Sequence, residues 1–102
     1  MNPVDLYEAA SALPAPWNSR LLAQVGTAAV KVLRMDGRPL PVEAHDTAEL
    51  LIVLDGTLEL TSGGDELTVE RGGMHHVAAG VPHAVRPGSR GALLIVEVPG
   101  AV

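Results

Sequence analysis

Four side chains suited to metal binding are grouped in two stretches of the chain. Glu43, His45 and Glu49 precede the apolar run 50–54, and His83 lies in Ala-Gly-Val-Pro-His. Residues two apart share a face of a strand, so the three odd-numbered residues point the same way if pairing is continuous. Two carboxylates and an imidazole on an otherwise aliphatic face are costly to bury unless they are paired or bind a cation. Imidazole and carboxylate together suit Zn, Mn, Fe, Ni or Cu. The chain therefore predicts a metal site built from Glu43, His45, Glu49 and His83.

Composition narrows the classes of function. A chain of 102 residues is expected to form one domain. It has no Phe, one Trp and one Tyr, so a ligand held by aromatic stacking is not expected. Seven basic residues and a formal net charge of −5 predict no nucleic-acid binding. The absence of cysteine excludes thiol catalysis and fits a cytoplasmic location. No apolar run approaches the length of a membrane span, and no signal peptide is predicted.

A short helix is predicted at the start of the chain. Leu6, Ala9, Ala10 and Leu13 follow helical spacing, and Asp5 is placed to cap the first turn. Two prolines, at positions 14 and 16, end the segment. We divide the chain into an N-terminal helix or arm, residues 1–16, and a β-barrel domain, residues 17–102. The arm is expected to serve as a lid or a dimer contact, and Trp17 to pack it onto the core.

The remainder of the chain reads as about nine short strands with a turn signal about every ten residues. Asp55-Gly56 predicts a turn between the apolar run 50–54 and the alternating run 57–61. In the alternating run, Leu58 and Leu60 are expected to point inward. This spacing predicts an all-β, antiparallel sandwich or barrel.

The first stretch resembles the first conserved motif of the cupin superfamily, which runs His-x-His, three or four residues, Glu, six residues, Gly. His45 matches its second histidine, Glu49 its glutamate and Gly56 its glycine. Glu43 falls where the motif has its first histidine.

The second stretch resembles the second cupin motif, which runs Gly, five residues, Pro, one, Gly, two, His. The matching positions are Gly72, Gly80 and His83, with Ala78 in place of the proline. The resemblance covers roughly residues 20–98. The chain is similar to small uncharacterised bacterial cupins that are grouped with mannose-6-phosphate-isomerase-like proteins. The resemblance implies a single-domain jelly-roll β-barrel with a short N-terminal helix, and a homodimer.

The resemblance also implies a divalent metal in the barrel mouth. Cupins usually hold it through three histidines and a glutamate, and His45, Glu49 and His83 match three of these positions. Glu43 is the departure. It is interpreted either as a fourth, anionic ligand, which would favour Mn or Fe over Cu, or as a surface carboxylate of a degenerate site without metal.

Three further residues are candidates for function. His75 and His76 are adjacent, so on a strand they face opposite ways, and the inward one is a candidate general base. Arg34 is a candidate anchor for an anionic substrate, although such arginines more often pair with nearby carboxylates.

Two classes of function are consistent with these residues. One is a metal-dependent isomerase or oxygenase acting on a small organic substrate, with Mn, Fe, Ni or Zn as cofactor. The other is a non-catalytic cupin that binds or senses a small molecule, or serves as a dimeric scaffold, with a degenerate metal site. The fold does not decide between them.

Overall fold

Strands account for most of the chain in a computed structural model, which describes residues 2–99. Within that range the chain forms one helix and eight strands. Their bounds are α1 Leu6–Ser11, β1 Arg20–Val25, β2 Ala28–Asp36, β3 Leu40–Glu43, β4 Glu49–Ser62, β5 Asp65–Glu70, β6 Met74–Val77, β7 His83–Val85 and β8 Arg90–Glu97.

All strand pairs are antiparallel, in the order β1-β2-β8-β4-β7-β3, and both β5 and β6 pair with β4. The predicted all-β antiparallel jelly-roll barrel with a short N-terminal helix is confirmed. In the described residues, no helix has the length and apolar character needed to cross a membrane.

Strand β4 is the main departure from the predicted layout. The prediction of a turn at Asp55-Gly56 is wrong. The strand continues through both residues, with a register shift between Val53 and Asp55. The first half of β4 pairs with β6 and β8, and the second half with β5 and β7. Fourteen extended residues would span about 45 Å. Nevertheless Glu49 at one end contacts His83, whose backbone partner is Ser62 at the other end. The strand therefore bends back on itself, as bulged strands do.

Two glycines allow the close backbone approach at this bend. Gly56 of β4 lies opposite Gly91 of β8, and both have positive φ, 77° and 108°. A Cβ at Gly56 would overlap the Arg90 carbonyl oxygen, and one at Gly91 would overlap the Asp55 carbonyl oxygen. Only glycine fits such positions without strain.

The inner face of the barrel is aliphatic. Leu58 and Leu60 are fully buried, as the alternation of the run 57–61 predicts. Burying such a side chain stabilises the fold by about 1.5–3 kcal/mol. The inner core consists of Leu33, Met35, Leu51, Val53, Leu58, Leu60, Val69, Val77 and Leu93.

Helix α1 packs on the outside of the barrel. The side chain of Asp5 accepts the Glu8 N–H at 3.0 Å, which confirms the predicted cap. Ala9 and Ala10 are buried against Val32 and Ala92 on the outer face of β2 and β8. Small alanines allow this close packing. No described residue of α1 lines the cavity inside the barrel, so the helix is not positioned as its lid.

Trp17 anchors the N-terminal arm to the barrel. Its backbone N–H donates to the Arg34 carbonyl at 2.8 Å, and its indole N–H donates to Asp36 at 2.7 Å. The ring packs against the inner core, as predicted. The division at residue 16 stays a prediction, and residues 100–102 of the predicted barrel domain lie outside the described residues.

Candidate metal centre

Backbone register brings Glu43 and His83 together at one end of the barrel. Glu43 ends β3 and lies opposite His83, the first residue of β7. Directly opposite residues of an antiparallel pair place their side chains on the same face. His83 is buried, whereas Glu43 is exposed.

Glu49 enters the same space from the other half of β4. Its Oε1 lies 2.9 Å from Nε2 of His83, and both side chains are 9% exposed. Glu49 begins β4 and lies between Val77 of β6 and Glu97 of β8. The contact with His83 therefore joins two parts of the barrel that are distant in sequence.

His45 completes the cluster from the loop between β3 and β4. The His45 carbonyl accepts the Gly80 N–H at 2.7 Å, which fixes this loop against the turn before β7. Nε2 of His45 lies 3.5 Å from Oε2 of Glu43, and the His45 and His83 ring centres are 5.3 Å apart. One ligand atom each from Glu43, His45 and His83 lies within 4.8 Å of the others.

The structure thus brings all four predicted metal-ligating side chains together, although they are not equally close to one another. Glu43, His45 and His83 form the mutually close group, and Glu49 joins it through His83. The condition of continuous pairing from Glu43 to Glu49 is not met, because residues 44–48 form a loop. Their role as ligands stays a prediction.

The hydrogen bonds of His83 orient its ring for ligation. Nδ1 lies 3.0 Å from the Val81 carbonyl, which can only accept, so Nδ1 carries the hydrogen. Nε2 then faces the Glu49 carboxyl, and a cation or a proton must lie between these two acceptors. An imidazole whose second nitrogen donates to a backbone carbonyl is typical of metal-ligating histidines.

Burial raises the pKa of the Glu49 carboxyl above its ordinary value. The charge on His83 acts in the opposite direction, Glu97 raises the pKa further, and His45 lowers it. A buried carboxylate with this environment is stabilised by a proton or by a cation. Two imidazoles and two carboxylates are a donor set that fits a divalent transition metal.

Glu97 is the residue of this site that sequence reasoning missed. It lies directly opposite Glu49 across β4 and β8, where like charges destabilise a sheet. Its Oε1 pairs with Nζ of Lys31 at 2.9 Å, and both side chains are partly buried. The sequence held a signal for it. Leu93, Ile95 and Glu97 are two residues apart along β8 and so share one face, and all three line the cavity.

A cavity of about 310 Å³ adjoins the cluster inside the barrel. Glu43, His45, Glu49, His83 and Glu97 line its polar part. Its remaining wall is mainly aliphatic and includes Leu33, Leu51, Leu58, Leu60, Leu93 and Ile95. This volume is at the small end of ligand pockets.

His75 and His76 take different positions. His75 lies opposite the buried Leu51 and so faces inward, with Nε2 3.3 Å from the Ser62 hydroxyl. It is not among the residues that line the cavity. His76 is exposed. A general-base role for either residue stays a prediction.

The structure does not bring Arg34 to the cluster. Its Nη2 donates to the Leu13 carbonyl at 3.3 Å. It lines a separate cavity of about 530 Å³ between α1 and the barrel, together with Tyr7 and Arg90. An anion held by Arg34 would therefore bind outside the barrel.

A family model described as Cupin domain matches residues 32–99 of this chain. The search of curated proteins found no match.

Several solved structures share the fold. A cupin-2 domain containing protein from Shewanella frigidimarina is 24% identical, with a TM-score of 0.85 over 93% of each chain. TT1209 from Thermus thermophilus is 25% identical, with a TM-score of 0.76 over 97% of this chain and 98% of that one. A salicylate 1,2-dioxygenase from Pseudaminobacter salicylatoxidans is 18% identical, with a TM-score of 0.65 over 71% of this chain and 21% of that one.

Proposed function

This chain belongs to the cupin family, and from that premise we propose that it binds a divalent metal and a small organic molecule inside the barrel. The proposed ligands are His45, Glu49, His83 and Glu43, and the proposed metals are Mn, Fe, Ni and Zn. The observation that carries the proposal is the convergence of two imidazoles and two carboxylates on one end of the cavity. The buried carboxylate of Glu49 needs a cation or a proton to offset the cost of its burial.

Metal analysis tests this proposal. Protein purified without chelators is expected to carry near-stoichiometric metal, and the His45→Ala/His83→Ala double variant is expected to lose it. His76→Ala is the matched control, because this exposed histidine lies outside the cluster. If wild type carries no metal and binds none of the four ions in calorimetric titration, the metal site is refuted.

We further propose that the reaction, if the site is catalytic, is an isomerisation or an oxygenation of the bound molecule. A metal in this site would act as a Lewis acid beside the cavity. Glu97 supports the catalytic alternative, because it is a carboxyl group on the cavity wall outside the proposed ligand set. The likeness to a salicylate dioxygenase is a likeness of fold alone.

The alternative is a non-catalytic binding or sensing cupin with a degenerate metal site. Two observations favour it. His75 contacts the Ser62 hydroxyl and does not line the cavity. The contact between Glu49 and His83 can be satisfied by a shared proton as well as by a metal. Metal-loaded protein that binds a small molecule and returns it unchanged, with and without oxygen, would support this alternative.

We also propose a cytoplasmic homodimer of the mannose-6-phosphate-isomerase-like subgroup. The exposed side chains of Tyr7 in α1 and of Leu21 and Val25 in edge strand β1 support an apolar contact between copies. Deleting residues 1–16 is expected to shift the protein toward monomer on a sizing column. A dimer that persists would contradict a contact through the arm.

A further inference from the structure

The charge of the cavity wall limits which molecules can enter the barrel. Three carboxylates, those of Glu43, Glu49 and Glu97, line the cavity. Among residues 2–99, no lysine or arginine lines it. A divalent ion would offset two negative charges and Lys31, paired with Glu97, offsets the third, so the metal-loaded wall would have no excess positive charge for an anion.

The basic residues nearest the barrel are already paired, so none is free to bind an anion in the cavity. Lys31 is paired with Glu97 at 2.9 Å and lines an adjoining cavity of about 230 Å³. Arg86 is paired with Glu59 at 3.0 Å, and Arg34 donates to Leu13 on the outer face of the barrel. A carboxylate or phosphate in the cavity would therefore meet acidic groups without a cationic side chain.

The volume and the remaining wall indicate a short aliphatic molecule. If each non-hydrogen atom takes about the 30 Å³ of a water molecule, the cavity holds about ten of them. Among residues 2–99, Trp17 is the only Phe, Tyr or Trp in the lining. Its indole N–H already donates to Asp36, so the ring offers the ligand no further donor.

We propose that the cavity binds a short, uncharged aliphatic molecule with an oxygen donor, such as an alcohol, a ketone or an amide, and rejects carboxylates and phosphates. The proposal rests on the metal function above, because the oxygen donor is assigned to the metal. An ammonium group has no lone pair to offer a metal, so it would suit the acidic wall only in a metal-free site.

Three molecules of nearly equal size test the proposal: hexanamide, hexanoate and hexylamine. Each is titrated into metal-loaded protein, with the fluorescence of the single tryptophan, Trp17, and calorimetry as readouts. Hexanoate is expected to bind at least about tenfold more weakly than hexanamide, because like charges brought together at an interface are costly. In Glu97→Gln, which removes one wall carboxylate and frees Lys31, this difference is expected to shrink.

A filling variant ties the signal to the cavity. Leu40→Phe places a larger side chain on the lining and is expected to weaken hexanamide binding while metal content is unchanged. Val42→Phe is the control, since Val42 is 69% exposed on the same strand and does not line the cavity. Circular dichroism checks that both variants fold.

The outcomes separate this inference from the metal function. Hexanoate binding as tightly as hexanamide to metal-loaded protein, or no saturable binding of any of the three, overturns the ligand class and leaves the metal site standing. Protein that takes up no metal overturns the metal function instead, whichever of the three molecules the metal-free barrel binds.

Discussion

The two ends of the barrel differ in the partners of their charged side chains. We call the end with Glu43, His45, Glu49 and His83 the open end. The far end lies at the start of β8, about 23 Å along that strand from Glu97. There Arg86 pairs with Glu59 at 3.0 Å and with Glu66 at 3.6 Å.

Apart from Nε of Arg86, which is buried without a hydrogen-bond partner, the polar groups of Ser89 and Arg86 at the far end are satisfied within the fold. Ser89 is fully buried, and its hydroxyl accepts the Glu59 N–H at 2.9 Å. Arg86 also donates to the Leu67 carbonyl at 3.2 Å. At the open end, by contrast, the acids face imidazoles and one another, with Lys31 as the only paired cation described. Charge at the far end therefore stabilises the fold, whereas the open end holds the carboxylates of the proposed metal site.

The largest expected effect is a loss of stability where the backbones of β4 and β8 approach each other closely, at the far end. In Gly91→Ala, overlap with the Asp55 carbonyl and the positive φ together are expected to cost about 3 kcal/mol or more of unfolding free energy. Urea unfolding measures it. Gly72→Ala is the control, because Gly72 has φ of 84° but no heavy atom within 4 Å of the added Cβ. Equal losses in the two variants would show that the close approach carries no cost.

A matched pair of carboxylate variants tests the comparison directly. Glu49→Gln is expected to lower metal affinity about 10–100-fold or more, and to leave the metal-free protein about as stable as wild type, because the uncharged amide can donate to Nε2 of His83. Glu59→Gln is expected to leave metal affinity unchanged and to cost about 1 kcal/mol of stability, since its partner Arg86 is only partly buried.

Calorimetric metal titration and urea unfolding of the metal-free proteins measure both properties. The assigned difference between the two ends is contradicted if Glu49→Gln unfolds more easily than Glu59→Gln while it binds metal like wild type. It is also contradicted if Glu59→Gln weakens metal binding, because the far end would then contribute to the site.

The smallest effect concerns Asp36, which also lies at the far end, opposite Arg90. The Arg38 backbone N–H at 3.0 Å and the Trp17 indole N–H at 2.7 Å hold the pKa of Asp36 below its ordinary value. A depressed pKa stabilises the fold above the unfolded-state value, near 3.8, and this contribution is lost as pH falls through the folded-state value.

Asp36→Asn is therefore expected to be less stable than wild type at pH about 7, with the difference shrinking below pH about 4. Urea unfolding followed by Trp17 fluorescence measures it at both pH values. Asp65→Asn, a substitution at an exposed position in β5, is the control. A difference that stays constant down to pH about 3 would show that the ionised carboxyl makes no contribution.

Much of the fold could be read from local patterns in the chain. The alternation around Leu58 and Leu60, the cap at Asp5 and the motif spacing around Glu49 and His83 all depend on near neighbours in sequence. The bend in β4 could not be read in the same way. Asp55-Gly56 carries the signal of a tight turn, and whether the strand breaks or bulges there depends on the backbone of β8 opposite Gly56.

By itself the sequence determined the fold class, the inward aliphatic positions and the four side chains of the cluster, because side-chain chemistry and strand periodicity are local properties. Only the tertiary structure decided which other residues lie beside that cluster and which lie away from it. Glu97 lies at the cavity through its register with Glu49, Arg34 lies outside because α1 covers that face of β2, and His75 contacts Ser62 instead of the cavity. Pairing between strands distant in sequence sets these positions, and a one-residue shift in register would move each side chain to the opposite face.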